Sequence, residues 1–265
     1  MLETAGAVSA LASPVGDLTN QSREPSAETN PATGPGGLWK KERMIVGVER
    51  PELNFDIEKV LLPHGLSGLF VVLDGFDGGG KTALVERVCA RLERSGREVV
   101  RTRSPRREAL EDSLYRAYPY EPGRHAVMDC RGLVAMIAGD RLQHAHEVVL
   151  PALERGAAVV SDSYVYSAVA DNYSRGLRSE TWFRELCRFL PRPDFGFILE
   201  ADEETVRNPA GRHFQACLYA YRQVARASGL PLIRTEGLVE QQENRIANEL
   251  GLGGAPACAG ARRLP

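Results

Sequence analysis

The amino-acid sequence predicts an α/β fold, three layers α/β/α around a central parallel sheet of about five strands, on the strength of three observations. From Leu69 onward, short apolar runs alternate with longer stretches of helical periodicity, the pattern of βαβ units. The first run, Leu69 to Asp74, leads directly into a glycine-rich loop and then into an amphipathic stretch. The 265 residues, 43% hydrophobic and 26% charged, suffice for one such domain with appendages.

Residues 1–38 contain no aromatic residue, no Lys and no Ile, and are rich in Ala, Gly, Pro, Ser and Thr. Such a segment buries too little apolar surface to offset its ordering entropy, so disorder is expected. Residues 39–68 read as a linker or a short helix, best placed at Phe55 to Leu62 before Pro63. The domain itself is expected over 69–250 and a disordered tail over 251–265. Within the domain the apolar runs predict strands at Leu69 to Asp74, Val99 to Thr102, Ala157 to Asp162, Phe195 to Ala201 and Leu232 to Thr235. The 3.6-residue periodicity predicts helices at Lys81 to Ser95, Val127 to Arg155, Glu180 to Leu190, Arg212 to Ser228 and Val239 to Leu250.

Charge narrows the function classes. A net charge of -2 gives no overall basic field, so no nucleic-acid partner is expected. No apolar run reaches the roughly 18 residues of a membrane span and no basic leader precedes one, so a cytoplasmic location without a membrane partner is expected. Five cysteines without a C-x-x-C pair read as reduced and mostly buried. Of 33 basic residues only Lys40, Lys41, Lys59 and Lys81 are lysines.

That last lysine lies in the strongest motif. Gly75-Phe76-Asp77-Gly78-Gly79-Gly80-Lys81-Thr82 matches G-x-x-x-x-G-K-[ST] in its required context of buried strand, loop and helix start. It assigns a P-loop NTPase-type fold. Glycines let backbone N–H groups turn onto phosphate oxygens, and the helix dipole adds positive charge there. Lys81 is expected on the β- and γ-phosphates of ATP and Thr82 on Mg²⁺. A compact ammonium on a flexible stem suits such a loop better than a planar guanidinium. The apolar strand ending in Asp162 offers a Mg²⁺-handling carboxylate. Arg103, at the end of the second strand, and Arg141, on a helix, are cations for the second substrate, or else surface residues. Tyr164, Tyr166 and Tyr173 line a base or sugar pocket or pack in the core. His144 and His146, two apart on a helix, are a poor metal pair.

Together these stretches resemble the thymidylate kinase family of nucleoside-monophosphate kinases. Its V-x-x-E/D-G-x-D-G-x-G-K-[ST] opening corresponds to Val71 through Thr82, its R-F-P or R-E-P to Arg103-Ser104-Pro105, and its A-x-R to Gly139-Asp140-Arg141. Its Q-h-x-x-x-I-x-P-A-L-x-x-G-x-x-V-I segment looks like Gln143 to Ser161, and its D-R-Y-x-x-S falls on Asp162 to Ser167. The resemblance spans roughly Leu69 to Leu250. It implies ATP- and Mg²⁺-dependent phosphoryl transfer to a nucleoside monophosphate, dTMP or a related nucleotide, and a homodimer. It further implies Asp77 near substrate sugar and phosphate, Arg103 and Arg141 on the acceptor, and Arg207 or Arg212 as the lid arginine at the transferring group.

Two positions depart from the family pattern. Ser163 stands where the family has the arginine of D-R-Y, and Ile137 where it often has a phenylalanine stacked on the base. The arm between Thr205 and Arg212 is also short. Two alternatives stay open on these grounds: a kinase of a nucleoside, modified nucleotide or other specialised metabolite, and a catalytically impaired nucleotide-binding regulator.

Overall fold

A computed structural model describes residues 53, 55–76, 80–106, 130–174, 181–201 and 212–252, with only the backbone at 130, 131, 133 and 212–214. All belong to the unit Met44–Pro265. Five strands, β1 (Leu69–Gly75), β2 (Val99–Arg103), β3 (Ala158–Asp162), β4 (Phe195–Glu200) and β5 (Leu232–Arg234), form one sheet in the order β2-β3-β1-β4-β5. Every pairing is parallel. The described helices are α1 (Lys81–Arg94), α2 (Cys130–His144), α3 (Leu150–Glu154), α4 (Val165–Ser174), α5 (Thr181–Cys187), α6 (Arg212–Ser228) and α7 (Val239–Glu249).

The central strand explains the layering. β1 lies between β3 and β4 with both faces covered, so it reads as a continuous apolar run, as parallel strands buried on two sides do. Phe70, Val72, Val159 and Ile198 face one core, shared with Leu153, Val169, Phe183 and Val224 from α3, α4, α5 and α6. Val71, Leu73, Val160 and Phe197 face the other, filled by Leu84, Val85, Val88 and Leu92 of α1 and Ile246 of α7. Buried Glu243 of α7 accepts a 2.6 Å hydrogen bond from Arg87 Nε and so ties these two helices together. The chain leaves β1 by way of α1 on one face and leaves β3 by way of α4 on the other. A crevice therefore opens outside the carboxyl ends of β1 and β3, where doubly wound sheets bind ligands.

Four local expectations are corrected. The stretch Phe55 to Leu62 is not a helix but a single turn, in which Val60 N and Leu61 N donate to Ile57 O. It packs Phe55, Ile57 and Leu61 into the core, so the folded domain begins before residue 69. The long helix expected to end at Arg155 is interrupted by a π turn at Ala145–Val149. The cause is Pro151, which has no N–H to donate and whose ring crowds the carbonyl four residues back, while Leu150 N reaches Ala145 O instead. Helix α4 was not expected at all, because the residue that caps it is remote in sequence.

Candidate active site

Helix α1 begins at the loop lysine. Gly80 takes the left-handed conformation (φ +81°) that glycine adopts without steric cost, and no acidic residue stands in the first turn of α1 to compete with an anion. Lys81, only 5% exposed, donates from Nζ to Gly75 O at 2.9 Å and Phe76 O at 3.0 Å. The Phe76 ring packs against Ala201 and Leu218, which fixes the start of the loop. Asp77, Gly78 and Gly79 lie outside the described residues.

Two carboxylates flank this start. Sheet register puts Asp162 beside both Leu73 and Arg103, so the end of β3 is level with the start of the loop. Asp162 Oδ2 accepts a 2.8 Å hydrogen bond from Thr82 Oγ1. Sequence reasoning gave no role to Asp74, which is fully buried in β1. Its Oδ1 accepts from Gly75 N, and its Oδ2 from Tyr164 N and Ser167 N, each at 2.9 Å. Burial pushes the Asp74 carboxyl up, while the Lys81 charge and these three amides oppose the shift. One carboxylate thus anchors the loop and satisfies N–H groups at the amino end of α4. The signal available was an acidic residue in an apolar strand immediately before the loop glycine.

Arg103 is exposed at the strand end and forms no ion pair among the described residues. Arg141 is 3% exposed on α2 with Ile137, half-buried, one turn before it. Ser163 alone among the described non-glycine residues has a positive φ, +69°. Its amide donates to Leu73 O and its carbonyl accepts from Ser161 Oγ, while its own hydroxyl lies 3.5 Å from Asp162 Oδ1, too far to hold it firmly. Tyr164 and Tyr166 do not line an open pocket. Both are buried in the core, Tyr164 Oη donating to Pro191 O and Tyr166 Oη to Glu58 Oε1, and the expectation of substrate contact is corrected. Arg207 and the side chain of Arg212 lie outside the described residues.

A family model of thymidylate kinase matches residues 73–224, which span the loop, both carboxylates and α4. The chain belongs to the thymidylate kinase family. The thymidylate kinase of Bifidobacterium longum strain NCC 2705 is 42% identical over 143 residues, 52% of this chain and 68% of that one. The probable thymidylate kinase of Thermococcus gammatolerans is 35% identical over 151 residues, 55% of this chain and 72% of that one. The crystal structure of thymidylate kinase from Ehrlichia chaffeensis superposes with a TM-score of 0.56, covering 69% of this chain and 98% of that one, at 17% identity. That likeness shows the fold, the three-layer P-loop architecture expected from the sequence. As a thymidylate kinase family member the chain is a nucleoside-monophosphate kinase, a phosphotransferase acting on nucleotides. Among the described residues no helix is long and apolar enough to cross a membrane.

Proposed function

We propose that the chain transfers the γ-phosphoryl group of ATP, with Mg²⁺, to dTMP or a closely related nucleoside monophosphate, as a cytoplasmic homodimer without nucleic-acid or membrane partners. The observation that carries the reading is the Thr82 Oγ1 to Asp162 Oδ2 hydrogen bond of 2.8 Å at the mouth of the phosphate loop. It joins two hard oxygen donors, the ligand type Mg²⁺ prefers. A Mg²⁺ ion held by two protein oxygens would keep the waters and substrate phosphate oxygens that this ion ordinarily retains. Thr82 and Asp162 would hold Mg²⁺, which when bound neutralises charge on the phosphate oxygens.

The chain's own residues do the rest by position and charge, which is most of what phosphoryl transfer requires. Lys81 exchanges the carbonyls of Gly75 and Phe76 for phosphate oxygens when ATP enters, so an ammonium already aimed at the loop needs little reorganisation. Arg103 and Arg141 hold the acceptor phosphate, Ile137 packs on the base, Asp77 approaches the sugar, and Arg207 or Arg212 meets the migrating group. The test is coupled ADP release over a panel of nucleoside monophosphates and nucleosides, with Lys81→Ala as control. Turnover of dTMP that falls at least about 10²-fold in Lys81→Ala is expected. No monophosphate accepted, with ATP still bound, overturns the reading.

Ser163 favours a second reading, a kinase of a nucleoside, modified nucleotide or other specialised metabolite. A hydroxyl beside Asp162 supplies none of the charge that makes hydrogen bonds to a phosphate dianion strong. On the same panel this reading requires an acceptor that outpaces dTMP.

A further inference from the structure

The exit of β2 is fastened more firmly than a surface loop needs to be. Thr102 Oγ1 lies 2.6 Å from His144 Nε2 on α2. Ser104 N donates to Asp162 O at 3.2 Å. Arg106 then grips Asp140 twice, from its backbone N to Oδ2 at 3.0 Å and from its side-chain Nε to Oδ1 at 2.8 Å. Its Nη1 reaches Glu147 Oε2 at 2.9 Å. The Asp140 side chain is 8% exposed, so this is not one of the solvated ion pairs that contribute little.

Geometry says what the grip accomplishes. Asp140 and His144 are four apart and share one face of α2; His144 is bonded to β2 at Thr102 and Asp140 to Arg106, three residues past the strand end. Two fixed points on one face set the rotation of the helix about its axis. Arg141 is the neighbour of Asp140, about 100° around the helix, and is turned inward to 3% exposure. Arg103 lies between two fastened residues, Thr102 and Ser104. We infer that Arg106 is a positioning residue of the acceptor site, holding the turn that carries Arg141 against the strand end that carries Arg103. The inference rests on the proposed function, in which those two arginines receive the acceptor phosphate.

The experiment is steady-state kinetics of the full chain with ATP and dTMP, or the best monophosphate of the panel, for the parent, Arg106→Ala, Arg106→Lys and Glu147→Gln. Misplacement by an ångström costs about 10²-fold in well-aligned sites, so a rise of about tenfold in acceptor KM is expected for Arg106→Ala, which keeps the backbone half of the grip. The KM for ATP stays within about twofold, since the phosphate loop is fastened through Asp74 and Thr82 instead. Arg106→Lys shows the same split with a smaller rise and serves alone if Arg106→Ala does not fold, and Glu147→Gln matches the parent. An unchanged acceptor KM, whatever the loss of thermal stability, overturns the inference, as does an equal rise in both KM values. Failure of the parent to use any monophosphate removes the proposed function and this inference together, whereas a parent active on dTMP with indifferent Arg106 variants removes only the inference.

Discussion

Burial pushes the Glu58 carboxyl up to about 7, with the hydrogen bond from Tyr166 and the Arg192 charge opposing the shift and Asp56 adding to it. Because the folded value lies above the ordinary 4.5, the group's contribution to stability is complete below about 4.5 and is lost as pH rises through about 7. The lost contribution approaches about 3 kcal/mol, at 1.36 kcal/mol per pKa unit. Glu58→Gln keeps an acceptor for Tyr166 Oη and cannot ionise. In urea unfolding it is expected to gain about 2 kcal/mol on the parent between pH 5 and pH 8, and a difference independent of pH contradicts the burial argument. Legibility at this scale divides by what a residue's role depends on. That Lys81, Thr82 and Asp162 meet at the start of the loop was readable because motif spacing and strand ends place them. Tyr164 and Tyr166 were not, because a tyrosine's sequence context does not say whether its hydroxyl finds a ligand or a carbonyl such as that of Pro191. Asp74 escaped notice because its partners, Tyr164 and Ser167, are some ninety positions away.

Among the elements, β1 shows how closely the strands are matched to each other. Gly75 has φ +149°, and a Cβ there would meet Leu199 O of β4 at 2.4 Å. Gly75→Ala must therefore push β4 from β1 or distort the loop at its first residue. A loss of about 1 to 3 kcal/mol in urea unfolding is expected, together with weakened ATP binding by titration calorimetry. Unchanged affinity would show that the loop tolerates the shift. β1, β3 and β4 were legible because parallel strands buried on both faces are short apolar runs bounded by polar residues. The edge strands β2 and β5, only partly buried, were legible from the apolar pairs Val99-Val100 and Leu232-Ile233, and the ends of all five moved by a residue or so. Helix α4 was illegible for the opposite reason. Val165 to Ala170 is rich in β-branched and aromatic residues, and the N–H groups at its start are satisfied from β1 rather than by a local capping residue.

For the molecule as a whole, the segment before β1 belongs to the fold although the family match begins at residue 73. Phe55, Ile57 and Leu61 are all buried, and Arg184 of α5 stacks over the Phe55 ring at 5.0 Å. Each such side chain contributes about 1.5 to 3 kcal/mol by leaving water. A chain starting at Leu69 is expected to lose roughly 5 kcal/mol, a large part of the 5 to 15 typical of a domain, and to unfold at markedly lower temperature by calorimetry. A midpoint equal to that of the full chain would make the segment dispensable. The sequence showed Ile57 and Leu61 at helical spacing and so suggested a short helix, but one turn before Pro63 is too short to reveal by periodicity that it packs into the core.

The π turn at Ala145–Val149 gives the helical rod on which Arg141 rides an angular offset. With 3.6 residues per turn, each residue gained or lost in that turn swings everything upstream by about 100° relative to α3, which is anchored in the core through Ala152 and Leu153. The turn is thus a phase-setting joint. A chain that straightened it would keep every motif in order along the sequence and still turn Arg141 to a different face of the rod.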